Sequence, residues 1–97
     1  MKKLKLAMVG VGNIADTHLT AHVKNSRVEV YALCDINPDR LKFMGEKYGV
    51  TRLYTDEKEM LAALPEIEAV DVCTWNAAHA PCTIMALEAG KHVMCEK

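Results

Sequence analysis

Gly10-Val11-Gly12-Asn13-Ile14-Ala15 directly follows an apolar run, Leu4 to Val9, and has the spacing G-x-G-x-x-A. Glycine at the first position permits a tight turn. Glycine at the third lets a ligand approach the backbone, and a small residue at the sixth lets a helix pack close to a sheet. A helix opening here offers unpaired amides and the positive end of its dipole, which suits the pyrophosphate of a dinucleotide. Asp35 lies 23 positions beyond Gly12, near the ~20-residue offset of an acid that accepts hydrogen bonds from ribose hydroxyls. A carboxylate there repels a 2′-phosphate, so NAD is expected over NADP. Arg40 softens that preference by offering the phosphate a cation. Two more groups carry polar chemistry: Thr74-Trp75-Asn76-Ala77-Ala78-His79 and the pair Glu96-Lys97. Lysine in such a place polarises a substrate oxygen or orients a hydroxyl.

Each of these residues also has a plainer use. Asp35 suits a turn before Asn37-Pro38, and Asn76 suits the start of a turn. His79 suits a helix cap, and a Glu-Lys pair is commonly a solvated surface pair.

The elements that position these groups follow from periodicity. Leu4 to Val9 predicts a first strand, and Gly12 to Lys24 a helix with Ala15, Leu19 and Val23 on its inner face. Val28 to Cys34 is a second strand, rich in β-branched and aromatic residues. Asn37 then caps a helix with Pro38 in its first turn, Leu41, Met44 and Tyr48 inward, an unfavourable Gly45 inside and Gly49 as terminator. Arg52 to Tyr54 is a short third strand. Asp56 and Glu59 have capping-box spacing before a helix that buries Met60, Leu61 and Leu64 and stops near Pro65. Ala69 to Thr74 is a fourth strand. His79 to Ala89 is a helix with Pro81 in its first turn, Ile84 and Leu87 inward and Gly90 as cap, and His92 to Cys95 is a fifth strand. Strands alternating with helices at this spacing imply an α/β fold, a doubly wound parallel sheet of about five strands with helices on both faces. The strands read as near-continuous apolar runs, as they do when both faces are covered. In such a sheet ligands bind at the carboxyl ends of the strands beside the switch point, where Gly10, Asp35, Asn76 and Glu96-Lys97 all fall.

Composition narrows the class. With 97 residues the chain is one domain, and 51% hydrophobic with 26% charged is ordinary for a globular protein. A net charge of -1 gives no drive toward nucleic acid or an anionic membrane. No apolar run approaches the ~20 residues of a membrane span, and the basic start Met1-Lys2-Lys3 leads into a strand rather than a signal peptide. Cys34, Cys73, Cys82 and Cys95 form no Cys-x-x-Cys pair and read as reduced thiols of a cytoplasmic protein. His18 and His22 share a helix face, and Cys34, Cys73 and Cys95 approach one sheet edge. Neither group has the spacing of a complete zinc ligand set, so no metal is expected and the two histidines read as polar-edge residues.

Taken together, Gly10 to Ala15 with His18, Cys34-Asp35 with Asn37-Pro38, Thr74 to His79, and Ala89-Gly90-Lys91-His92-Val93 leading to Glu96-Lys97 resemble the glucose–fructose oxidoreductase, inositol dehydrogenase and MocA family. The resemblance covers essentially the whole chain. It implies residues 1–97 as an NAD(P)-binding Rossmann domain, with Gly10, Gly12, Asn13, Ile14, Asp35, Thr74, Trp75, Asn76, His79, Glu96 and Lys97 at the cofactor. It further implies hydride transfer to or from a hydroxyl or carbonyl of a sugar, cyclitol or related small molecule, with Lys97 beside the substrate. Trp75 stands where the family usually has proline. The family's C-terminal substrate domain is absent, so the chain reads as an N-terminal fragment, inactive alone. With an uncovered strand edge it is expected to form homo-oligomers or aggregate. The same framework would also serve a non-catalytic dinucleotide-binding regulator or interaction subunit, or an NADP-holding enzyme acting on a tetrapyrrole or glycan.

Overall fold

Among the described residues nine elements alternate: β1 (Leu4–Val9), α1 (Asn13–Lys24), β2 (Val28–Cys34), α2 (Pro38–Tyr48), β3 (Leu53–Tyr54), α3 (Glu57–Ala63), β4 (Ala69–Val72), α4 (Asn76–Glu88) and β5 (His92–Cys95). They are those of a computed structural model, which describes residues 3–11, 13–73 and 76–95, with side chains for all of these but 13–16, 76–81 and 94–95. The strands form one parallel sheet in the order β3-β2-β1-β4-β5. The chain therefore runs outward from β1 to one edge and then returns to the other side of β1. The crevice between the carboxyl ends of β1 and β4 is the switch point of this doubly wound topology.

Register follows from alternation. Leu6 to Val9 pair with Ala69 to Val72, so Met8 lies opposite Asp71. On one face Ala7, Val9, Ala32, Val70 and Val72 pack with Met60, Leu61, Ile67 and Ala86 of the α3 and α4 side. On the other, Met8 and Leu33 pack with Leu19, Leu41, Met44 and Val50. Burying apolar area on both faces, at roughly 25 cal/mol per Å², is what holds the helices to the sheet.

Local signals account for the boundaries. Asn37 Oδ1 accepts from Asp39 N and Arg40 N at 3.0 and 3.1 Å and caps α2, with Pro38 as its first residue. Asp56 Oδ1 accepts from Glu59 N at 3.2 Å and caps α3. Gly45, unfavourable by propensity, is required by packing: a Cβ there would lie 2.9 Å from the Val50 carbonyl oxygen and 3.0 Å from Leu53. Its absence lets α2 sit directly on β3.

Several expectations are corrected. β3 lacks Arg52, and β4 ends at Val72, although Cys73 N still donates to Val9 O at 2.8 Å. α1 begins at Asn13, and within it Leu19 is buried while Val23 is exposed. α4 starts at Asn76 rather than His79, which moves Pro81 into the second turn, where it has no N–H for the Ala77 carbonyl. Its inner face is set by Ala86, with Cys82 and Met85 partly buried, while Ile84 and Leu87 are 53% and 56% exposed. Among the described residues no helix is long and apolar enough to cross a membrane.

Candidate functional site

β1 delivers the chain to Gly10, whose φ of 89° lies in the region that favours glycine. The turn is held by the neighbouring strand, since Gly10 N donates to Cys34 O at 2.8 Å. Val11 beyond it is fully buried. Its N–H donates to Asp35 Oδ2 at 2.8 Å, and its carbonyl accepts from Arg40 Nε at 2.7 Å. Asp35 Oδ1 accepts from Asn37 N, also at 2.8 Å. One carboxylate thus joins the glycine turn to the cap of α2, and one guanidinium closes the same turn from α2.

Asp35 is only half-buried at the carboxyl end of β2. A carboxylate oxygen accepts more than one hydrogen bond, so this group can hold the turn and still accept from ligand hydroxyls. Arg40 is drawn toward the turn by the Val11 carbonyl and lies 5.4 Å from the Phe43 ring centre. Both groups border the turn.

Gly10 and Asp35 are therefore brought together. α1 and α4 both open at the switch point, so Asn13, Ile14, Asn76 and His79 lie in the first turns of the two helices that flank the crevice. Their side chains, and Gly12, Thr74, Trp75, Glu96 and Lys97, lie outside the described residues.

Beneath the turn the structure assembles a group that residue spacing did not indicate. Asp71, inside β4 and 1% exposed, lies on the α1 face of the sheet. Its Oδ2 is 2.8 Å from both His18 Nδ1 and His22 Nε2. Cys73 Sγ is 3.5 Å from His18 Nδ1 and 3.5 Å from Asp71 Oδ1. The histidines are thus not polar-edge residues but partners of a buried carboxylate. The available signal was an acid within the apolar run Ala69-Val70-Asp71-Val72-Cys73.

On the opposite face, Glu57 is buried at the start of α3. Burial pushes its carboxyl above the usual range, while the Cys82 thiol beside it pulls it partly back. Cys34 is buried nearby, and desolvation, followed by the Glu57 charge, raises its thiol to about 12. At that value it is neither a nucleophile nor a ready metal ligand at neutral pH. Cys34, Cys73 and Cys82 are not in disulfides.

Comparison with known proteins follows this geometry closely. Residues 4–97 match the model of an oxidoreductase family with an NAD-binding Rossmann fold, the Gfo/Idh/MocA family. The chain is 39% identical over 95 residues to D-glucoside 3-dehydrogenase of Escherichia coli, covering 97% of this chain and 27% of that protein. It is 34% identical over 94 residues to myo-inositol 2-dehydrogenase of Thermotoga maritima, covering 97% of this chain and 28% of that protein. An Agrobacterium radiobacter oxidoreductase, solved with NAD+, L-tartaric acid and magnesium, superposes with a TM-score of 0.94. It is 29% identical, and the match covers 99% of this chain and 28% of that one. The chain thus spans a little over a quarter of the length of the proteins it matches.

Proposed function

This chain belongs to the Gfo/Idh/MocA oxidoreductase family, and we propose that it forms the dinucleotide-binding part of a dehydrogenase that prefers NAD to NADP. The observation that carries this reading is Asp35 bonded to the Val11 amide at the glycine turn. In this reading the contact holds the carboxylate where it can accept from the adenosine ribose. NAD, when bound, supplies the hydride chemistry, and the protein contributes position and charge. In this proposal Gly10 and Gly12 shape the phosphate turn. Asn13 and Ile14 contribute helix N-terminal amides, and Asp35 accepts from the ribose. Thr74, Trp75, Asn76, His79 and Glu96 border the nicotinamide half. Lys97 is the proposed catalytic residue, donating to the substrate oxygen.

The substrate class we propose is a sugar or cyclitol hydroxyl or the matching carbonyl. The similar proteins named for glucoside and inositol oxidation support it. β5 lies at an edge of the sheet, so association of copies through that edge belongs to the same proposal, as does a cytoplasmic setting for the reduced thiols.

The test uses the chain's one tryptophan, Trp75. Titration with NADH, then NADPH, is expected to give saturable quenching of its fluorescence, tighter for NADH, with the preference reversed or abolished in Asp35→Arg. Tighter NADPH binding by the unaltered chain overturns the role of Asp35. No binding of either nucleotide, followed by calorimetry on the folded chain, overturns the cofactor reading.

A further inference from the structure

We propose that His18, His22, Asp71 and Cys73 form a site for a divalent transition-metal ion, with zinc the best fit, that ties α1 to β4. The site is separate from the dinucleotide reading and stands on different atoms.

One donor atom from each of His18, His22 and Asp71 lies within 4.8 Å of the others. The histidines are four residues apart on α1, one helical turn, so both rings project from one face. That face meets β4 where Asp71 points out of the sheet. Cys73, two residues further along, stands on the same side, with its sulfur 3.5 Å from His18 Nδ1 and Asp71 Oδ1. The set is two imidazole nitrogens, one carboxylate oxygen and one thiolate sulfur. A tetrahedral site mixing sulfur and nitrogen donors is zinc chemistry, and carboxylate oxygen is also a usual zinc ligand.

The distances suit this reading. Usual zinc bond lengths put tetrahedral nitrogen and oxygen donors roughly 3.3 Å apart, and sulfur and nitrogen donors roughly 3.6 Å apart. The 3.5 Å between Cys73 Sγ and His18 Nδ1 already matches, while the sulfur meets Asp71 through Oδ1 and the imidazoles meet it through Oδ2, so Cys73 joins as fourth donor by a side-chain rotation toward Oδ2. The two 2.8 Å nitrogen–oxygen separations open by about half an ångström, a small rotation of side chains that are partly open to solvent. The same openness provides a route for the ion, since the His18 and His22 side chains are 24% and 15% exposed.

Without metal the group is a hydrogen-bonded cluster, in which each ring presents an N–H to Asp71. Binding moves each proton to the opposite ring nitrogen, and the Cys73 thiol releases its proton to solvent. Four protein donors complete the coordination, which is the mark of a structural rather than a catalytic zinc. The ion's role is then to fix α1, the helix that opens just beyond Gly10, against the strand on the far side of the switch point.

The test is titration of the chelator-treated chain with cobalt(II), followed by displacement with zinc. One equivalent of cobalt is expected to give the intense visible absorption of a tetrahedral ion and a thiolate charge-transfer band. His22→Gln is expected to weaken uptake roughly 100-fold or more, by loss of one of four ligands. Asp71→Asn is expected to do the same. If that buried variant fails to fold, His22→Gln, at the solvent margin, decides alone. Cys73→Ser is expected to weaken uptake as well, and the cobalt that still binds is expected to lack the charge-transfer band. No stoichiometric uptake by the folded chain, or unchanged uptake in His22→Gln, overturns the site. A charge-transfer band that persists in Cys73→Ser overturns the assignment of the sulfur.

Discussion

Asp35 and Asp71 stand on opposite sides of β1, one at the end of β2 and one inside β4. Both brace the unit formed by β1, the glycine turn and α1. Asp35 does so through backbone amides, Val11 N and Asn37 N, at a half-exposed strand end. Asp71 does so through two imidazoles on one oxygen, in a buried position. Water screens the first and leaves part of the group open to a ligand. The second has lost its hydration, and its partners must replace it. The same residue type is therefore left open to solvent at one place, where we propose that it binds the ribose, and is a buried structural hub at the other.

Removing the two acids should separate these roles. In metal-free protein, Asp71→Ala is expected to cost about 3 kcal/mol of folding stability, because it leaves two inward-facing imidazoles without their acceptor. Its effect on the NADH dissociation constant should follow only from lost folding. Denaturant unfolding with a parallel NADH titration checks both, and a loss below about 1 kcal/mol would mean that the histidines find water instead.

Asp35→Ala should show the converse pattern. The unpaired Val11 amide is expected to cost about 1 kcal/mol of stability. NADH affinity should fall about tenfold or more, the scale of charge-assisted bonds to ribose hydroxyls. If the two losses were equal, Asp35 would be only a brace, and the contrast with Asp71 would disappear.

A third carboxylate sharpens the comparison. Glu57 is buried without imidazole partners, and burial raises its pKa. Its protonated form is favoured in the fold, so its contribution is full below the ordinary glutamate pKa. That contribution is lost as pH rises through the raised value. Glu57→Gln is therefore expected to leave stability at low pH unchanged and to raise it by about 1 kcal/mol at neutral pH. Chemical denaturation at two pH values measures this. Equal stability at neutral pH would show that the Cys82 contact fully compensates the buried charge.

Much of this was legible in the residues, for local reasons. The caps at Asn37 and Asp56 and the turn at Gly10 depend on chain neighbours, and all formed as their sequence implied. The offset of Asp35 from the glycines was also legible, because one β-α-β unit fixes the distance between them. The inner face of α4 is not legible because packing chooses it among several apolar stripes of the same helix. Packing turns Ala86 inward with Cys82 and Met85 and leaves Ile84 and Leu87 out. Gly45 is a cost by propensity alone, and only the Val50 carbonyl packed against it makes glycine necessary there.

From residues alone came the α/β alternation, the parallel sheet and the dinucleotide turn with its acid, since each rests on periodicity or short-range geometry. Tertiary structure decided that His18, His22, Asp71 and Cys73 meet. His18 and Asp71 lie 53 residues apart. Only the crossover that seats β4 beside β1, with α1 over one face, brings their side chains within bonding distance.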